Sequence, residues 1–401
     1  MQNFWNWMVI GVLGTTTPAY AFRVIHWNIK EFDTQKIFKT RDQQSTQGQS
    51  VLAFFKTHPW DLLSLNEIQY DLPGVPNSEF NSRGLNLKRI AKLIGHSNSR
   101  WSFDPANTGN QAKRNEKGQY ETNPNAPYSR TLADPLNFGV FPGQYSTGLL
   151  FKNKIKNKKV FSKLKWKEVF PERDLTSFRD AHGNPIPEDI ELFDKNFTDL
   201  TLEIEQKPVH IILLHTVPSF EFGQKNSMNI ARNADQLRFL EWYLTGSTSP
   251  SVADTLALEP LSKNDRIIAM GDWNVDYQKK TKEGAPVLQR LFKKMKLWMK
   301  KPPATYWGSS LIQKEPIEAT LDYLVTSQHF QIIKSGVYRP KYIYNDWGCN
   351  AKKVPSAPSG KVLISYQRKQ KTCYAWVNEE FASQKQASDH LPIWAELKLI
   401  D

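Results

Sequence analysis

Apolar runs that end in a polar side chain recur along this chain. The first is Phe22-Arg23-Val24-Ile25-His26-Trp27-Asn28-Ile29, which reads as a strand running out at Asn28. After a polar loop, Gln49 to Lys56 has helical spacing, and Asp61-Leu62-Leu63-Ser64-Leu65-Asn66-Glu67 is a second strand that ends in an acid. Asn86 to Ile94 reads as a helix with Gly95 as its stop. Asp104 to Asn137 is rich in Asn, Pro, Gly and Lys without sustained periodicity, which predicts a long loop. Tyr145 to Phe151 and Val160 to Trp166 read as paired strands across a lysine-rich turn, and Phe170 to Lys195 as a second irregular excursion.

Thr198 to Glu205 alternates polar and apolar residues. After Lys207-Pro208, Val209 to Leu214 is a buried strand delivering His215, so the two form an antiparallel hairpin. Asn229 to Leu244 carries Ile230, Ala234, Leu237, Leu240 and Leu244 at helical spacing. Ile267 to Met270 is apolar and exits through Gly271-Asp272-Trp273-Asn274, where strand alternation points Asp272 and Asn274 the same way. Pro286 to Trp298 predicts a basic amphipathic helix with Pro at an early position. Ala319 to Val325 is a strand carrying Asp322, and Ile332 to Tyr338 is another strand. Asn345 to Thr372 is loop-like, and Ser388-Asp389-His390 introduces a last strand, Leu391 to Leu399. With no short repeat and no linker, one domain over residues 22–401 is expected, with insertions near 104–137, 170–195 and 345–372.

A lone Gly-Asp at a strand exit is an ordinary turn. Six strand exits bearing Asn, Glu, His and Asp are harder to read as six caps, because these types together serve phosphate-ester hydrolysis. A carboxylate can take a proton from water, an amide can hold an anionic oxygen, and imidazole can donate.

Residues 1–21 carry no charged side chain, run through Trp7 to Leu13, and end Ala19-Tyr20-Ala21; this reads as a signal peptide with Phe22 as the mature start. The apolar run is too short to span a membrane. The expectation is export, to a periplasm or the medium, without a transmembrane segment in the mature chain. The 401 residues carry a net charge of +13, densest between Lys152 and Lys167, which favours an anionic partner: nucleic acid, a phosphorylated small molecule or a lipid head group. The two cysteines, Cys349 and Cys373, exclude a four-cysteine zinc site and, in an exported protein, suggest a disulfide.

The order of His26-Trp27-Asn28-Ile29-Lys30, Leu65-Asn66-Glu67, Leu214-His215-Thr216-Val217-Pro218-Ser219, Gly271-Asp272-Trp273-Asn274, Leu321-Asp322-Tyr323 and Ser388-Asp389-His390-Leu391-Pro392 resembles the endonuclease/exonuclease/phosphatase superfamily, and within it deoxyribonuclease I. Phe138 to Tyr145 is similar to a stretch in exported bacterial members. The resemblance implies a four-layer α/β sandwich, two packed mixed β-sheets flanked by helices. It also implies phosphate-ester hydrolysis with Mg²⁺ or Mn²⁺, and Ca²⁺ as a structural or co-activating alternative. Carried over motif by motif, Glu67 is the chief metal ligand with Asn28 and Asp389 beside it. Asp272 orients or deprotonates the attacking water, Asn274 holds a phosphoryl oxygen, His215 and His390 face the phosphate, Asp322 supports His390, and Lys30 meets a substrate phosphate. His26, His58, His96, His182, His210 and His329 match no family position and are read as structural or surface residues.

Three functions follow in order of preference. The first is a secreted, metal-dependent phosphodiesterase, an endonuclease like deoxyribonuclease I. The second is a phosphatase or phospholipid phosphodiesterase of the inositol-phosphate or sphingomyelin type. The third is a non-catalytic binding protein on the same fold, which predicts a broken catalytic set. Oligomeric state is not encoded in any pattern found.

Overall fold

Two strands buried on both faces organise each half of the molecule. The computed structural model describes residues 21–400 apart from 81–82, 124–125, 127, 248–251, 255, 280, 309–317, 342–343, 350–355 and 369–370. The expected leader thus lies, but for Ala21, outside the described residues. The first half runs β1 (Ala21–Phe32), α1 (Thr34–Arg41), α2 (Thr46–Thr57), β2 (Leu62–Ile68), α3 (Asn86–Leu93), β3 (Arg100–Asp104), α4 (Ser129–Leu132) and β4 (Ser146–Phe151). The second runs β5 (Lys154–Val160), α5 (Trp166–Val169), β6 (Phe197–Ile204), β7 (Lys207–Leu214), α6 (Asn229–Thr245), β8 (Ile267–Asp272), α7 (Gly284–Lys294), β9 (Lys296–Leu297) and β10 (Asp322–Thr326). The chain then returns through β11 (Phe330–Val337), β12 (Tyr344–Gly348), β13 (Lys361–Arg368), β14 (Lys371–Asn378), α8 (Glu379–Ala387) and β15 (Ile393–Leu399).

One six-stranded sheet has the order β11-β15-β1-β2-β4-β3 and the other β5-β6-β7-β8-β10-β9. Each is antiparallel except at one central pair, β1 with β2 and β7 with β8. Parallel strands covered on both faces demand near-continuous apolar runs, and β1, β2, β7 and β8 supply them. Val24, Leu62, Leu149 and Phe151 of the first sheet meet Leu200, Val209, Leu213, Met270 and Leu324 of the second in a shared apolar layer. Each fully buried side chain of this kind contributes about 1.5–3 kcal/mol. Outside the first sheet, α2 and α3 set Val51, Phe54, Leu87 and Ile90 against Ile25, Trp27, Leu63 and Leu65. Outside the second, α6 and α7 set Leu237, Leu240, Leu288 and Leu291 against Ile212, Leu214 and Ala269. The expected four-layer sandwich is the architecture found. No helix of the described residues is long and apolar enough to cross a membrane.

Four expectations need correction. The polar stretch after β1 contains α1, started by Asp33, whose carboxylate accepts from the Lys36 N–H at 2.7 Å. Val160 to Trp166 is not a strand paired with β4: the lysine-rich stretch expected as a turn is itself β5, which ends at Val160 and pairs with β6, so the chain changes sheet between Phe151 and Lys154. All of β5 is exposed, and lysines suit an edge strand because they oppose edge-to-edge association. The helix expected to reach Trp298 stops at Lys294, and Lys296–Leu297 joins β10. The loop expected over residues 345–372 holds β12 and β13, which flank β14 in a third, antiparallel sheet. The disulfide between Cys349 and Cys373 ties that sheet together.

Candidate active site

The C-terminal ends of the two parallel pairs face each other across the sandwich. From the first sheet come Asn28 on β1, Glu67 on β2 and the 388–390 turn before β15. From the second come His215 after β7, Asp272 at the end of β8, and Asp322, which opposes Asp272 in the β8–β10 register. Gly271 allows this convergence: a Cβ there would lie 1.6 Å from the carbonyl oxygen of Leu214, so only glycine lets β8 press this close to the strand that delivers His215. The 388–390 turn is pinned to β1. Ser388 Oγ donates to the Asn28 carbonyl at 2.6 Å, and Trp27 Nε1 to the His390 carbonyl at 3.0 Å.

Asp272 is the hub. Its Oδ2 accepts from Asn28 Nδ2 at 3.0 Å and lies 3.6 Å from His215 Nε2 and 3.7 Å from His390 Nε2. Its Oδ1 accepts from the Asn274 N–H at 2.9 Å. His390 Nδ1 is 2.8 Å from Asp322 Oδ2, as the resemblance implied. Asn274 spends one of its two amide hydrogens on the Thr216 carbonyl at 3.0 Å, leaving the other for a ligand. Lys30 Nζ pairs with Asp389 at 2.9 Å.

All the expected site residues gather here, but two sit differently from expectation. Asn28 turns its nitrogen toward the acids, donating to Glu67 Oε1 at 2.9 Å as well as to Asp272, while its oxygen accepts from the Lys30 N–H at 3.0 Å. In this arrangement it bridges two carboxylates, and serving as an oxygen ligand requires the amide to turn over. Asp389 is held by Lys30, with its charge near enough to Glu67 to raise that carboxyl.

Sequence reasoning missed three contributors. His26 is fully buried, with Nδ1 3.0 Å from Ser64 Oγ and Nε2 3.3 Å from Asp322 Oδ1. Its spacing of two from Asn28 was the available signal, since strand residues i and i+2 share a face. Glu31 donates its backbone N–H to Glu67 Oε2 at 3.0 Å, and its own Oε1 accepts from Tyr145 Oη at 2.9 Å. Lys30, Glu31, Glu67, Tyr145 and Asn274 all have positive φ, between 49° and 64°. Non-glycine residues in this region cost about 1–3 kcal/mol each and cluster where surroundings over-determine the backbone.

Burial and neighbours drive the ionisations apart. Burial pushes Asp272 up to about 6. Burial also opposes a charge on His390, but Asp322 and Asp272 overcome it and raise His390 to about 10. Asp322 is the converse: His390 and His26 outweigh burial and lower its carboxyl. His215 is driven well below the usual histidine range by burial, then by the charges of Lys195, His390 and His26. His390 and His215, on either side of Asp272, are therefore driven in opposite directions from the ordinary histidine range. Such a separation is what acid–base division of labour needs.

Glu67 is raised to about 7, first by burial and then by Glu31. Oxygens of Glu67 and Asp272 and a nitrogen of His215 lie within 4.8 Å of one another. Two carboxylates and an imidazole converging at this range are a donor set that fits a divalent cation. Asp272, Asp322 and His390 also cluster, but His390 Nδ1 and Asp322 are already spent on each other.

No family model matches the chain, and no curated protein matches it in sequence. Among solved structures, it is similar to an endonuclease/exonuclease/phosphatase from Beutenbergia cavernae at TM-score 0.51 and 10% identity, covering 95% of this chain and 72% of that one. An endonuclease/exonuclease/phosphatase from Bacteroides vulgatus aligns at TM-score 0.47 and 10% identity over 95% and 99% of the two chains. Beta toxin of Staphylococcus aureus aligns at 0.43 and 14% over 93% and 99%. The first of these likenesses, with the sheet order above, establishes the fold of the endonuclease/exonuclease/phosphatase proteins.

Proposed function

We propose that this chain, on the endonuclease/exonuclease/phosphatase fold, is an exported hydrolase of phosphate esters that works with a divalent metal. The observation that carries the reading is the convergence on Asp272 Oδ2 of Asn28 Nδ2 at 3.0 Å, His215 Nε2 at 3.6 Å and His390 Nε2 at 3.7 Å. Glu67 would hold the metal, with Asp272 and His215 beside it and Asn28 or Asp389 on rearrangement. Such an ion neutralises charge on phosphoryl oxygens when bound.

The chain's own groups supply the remaining steps. Asp272 Oδ2 takes the proton of the attacking water. Cationic His390, kept charged and oriented by Asp322, donates toward the phosphoryl or leaving oxygen. His215 offers Nε2 to the same group, and the unspent Asn274 N–H holds a phosphoryl oxygen. Lys30, partly exposed, can leave Asp389 for a substrate phosphate. Export is supported by the signal-like residues 1–21 and the Cys349–Cys373 bond.

Two substrate readings compete. The net charge of +13 favours nucleic acid cut by an endonuclease like deoxyribonuclease I, and then cleavage should fall steeply with salt. A cavity beside Glu67 favours a small polar ester, and we place this second reading first because the cavity adjoins the residue that would hold the metal, whereas the densest positive charge lies on the edge strand β5. A non-catalytic role is disfavoured by the intact set. The test is the purified chain with Mg²⁺, Mn²⁺ or Ca²⁺ against sugar phosphates, inositol phosphates, sphingomyelin, RNA and plasmid DNA, with EDTA as control. Turnover that EDTA abolishes, and that Asp272→Ala or His390→Ala lowers by about 10²–10⁴ without loss of fold, is expected. No turnover with any metal overturns the reading.

A further inference from the structure

Beside Glu67 lies a cavity of about 410 Å³, within the range of small-molecule pockets. Its walls are the end of β1 and start of α1, residues 67 and 69, residues 122 and 123, and the Phe138 to Tyr145 stretch, whose place in the site no catalytic role had explained. Glu67 forms one side, so the cavity opens beside the residue that would hold the metal.

The lining carries three carboxylates, Glu31, Asp33 and Glu67, against two ammonium groups, Lys36 and Lys39. A channel for a phosphodiester backbone is basic, and this one is not. A quaternary ammonium group calls for a cage of aromatic faces with few hydrogen-bonding groups. Here Phe141 and Tyr145 are outnumbered by polar side chains, and the Tyr145 hydroxyl is committed to Glu31.

The hydrogen bonds within the wall leave a mixed set of donors and acceptors. Asp33 is spent at the start of α1, where its carboxylate takes the Lys36 and Gln35 N–H groups. Glu31 uses Oε1 for Tyr145, which leaves Oε2. Gln144 uses its oxygen for the Val140 N–H at 2.7 Å, which leaves its NH₂ group. Lys36 is anchored on the Glu31 carbonyl at 2.6 Å, holding α1 and the strand end together as one wall. Acceptors interspersed with donors at short range match vicinal hydroxyl groups, each of which both gives and accepts a hydrogen bond.

We propose that this cavity is a subsite for a polyhydroxylated substituent of monosaccharide size, so that the substrate is the phosphate ester of a small polyol. The proposal rests on the phosphoesterase reading above for where the phosphate sits. Phe138 to Tyr145 thereby becomes a specificity wall, with Gln144 as donor and Tyr145 setting the Glu31 carboxylate.

The test separates binding from turnover. Affinities for glucose 6-phosphate, inositol 1-phosphate, methyl phosphate, phosphocholine and a short oligonucleotide are measured by calorimetry on the chain in EDTA and on the Mg²⁺-loaded Asp272→Asn chain. Polyol phosphates should bind at least about tenfold more tightly than methyl phosphate. Gln35→Trp and Lys39→Trp, at exposed α1 positions lining the cavity, should each fill it and erase that preference while leaving methyl phosphate binding unchanged. Equal affinity for polyol and methyl phosphate, tighter binding of phosphocholine or the oligonucleotide, or a preference that survives both substitutions in folded protein would overturn the proposal. Failure of the phosphoesterase reading would show separately, as absence of turnover on every ester while the binding preference still decides the cavity.

Discussion

Asp322 turns its second carboxylate oxygen toward Nε2 of His26, 3.3 Å away, behind the bond it makes with His390. Both residues are fully buried, so this oxygen has no solvent to fall back on. The contact falls short of a hydrogen bond, but His26→Leu should remove the polar group that faces this oxygen, at a cost of about 1–3 kcal/mol in stability. It should also lower kcat with little change in KM, because Asp322 then swings and His390 loses its orientation. His26→Gln should recover much of both. Denaturant titration and steady-state kinetics check this, and a wild-type rate in His26→Leu would remove His26 from the catalytic support.

The pH profile follows from two buried groups. Asp272 must be a carboxylate to accept a proton, so the rate should rise as pH climbs through about 6. His390 must be cationic to donate, so the rate should fall as pH passes about 10. Bound metal favours the Asp272 anion and moves the acid limb down. Asp322→Asn removes the main charge that holds His390 protonated, so the alkaline limb should drop by more than about one unit. An alkaline limb that stays in place in Asp322→Asn would contradict the pairing.

Glu67 inverts the usual carboxylate linkage. Its folded value of about 7 lies above the ordinary 4.5, so the native state binds more protons than the unfolded chain between these values. Metal-free stability should therefore fall as pH rises from about 4.5 through 7, by ~2 kcal/mol from this group after allowing for its residual solvent contact. Glu67→Gln should melt higher than the wild type at pH 8 without metal, and about equally at pH 4. It should also lose most of the stabilisation that Mg²⁺ gives the wild type. Thermal melts with EDTA and with Mg²⁺ at the two pH values decide it.

The Cys349–Cys373 bond closes a segment with a sequence separation of 24. A cross-link over a loop of this length stabilises by about 3 kcal/mol in the chain-entropy account. Reduction, or the double Cys→Ser change, should lower the melting temperature by several degrees, and mass spectrometry of non-reduced exported protein should find no free thiol. Two free thiols in that material would dismiss the bond.

What was legible in the chain was the set of strand exits. Glu67, His215, Asp272 and Asp322 each sit at or beside the end of a strand whose apolar run is nearly continuous, because central strands of a sandwich are covered on both faces; Asn28 lies inside β1, which runs on to Phe32, and His390 precedes β15, where buried and half-buried residues alternate. What was hidden depends on contacts distant in sequence. α1 has few apolar positions and is fixed by Asp33 at its start, so periodicity could not find it. β12 and β13 stand beside β14 in a small sheet away from the central layer, and their short segments look like loop until paired. The direction of the Asn28 amide is set by the Lys30 N–H and two acids that arrive from β2 and β8. The Tyr145–Glu31–Glu67 chain joins three segments through backbone at positive φ, which no alternation rule anticipates.

The reacting groups are divided between two sheets that meet through an apolar layer: Asn28, Glu67 and His390 ride on one, His215, Asp272 and Asp322 on the other. The bond from His390 to Asp322 and the bond from Asn28 to Asp272 are two of the seams. A slip of one sheet over the other by a single ångström would part both seams while leaving each sheet whole. The proposed hydrolysis would thus gauge inter-sheet alignment, and warming should silence it some degrees before either sheet comes apart.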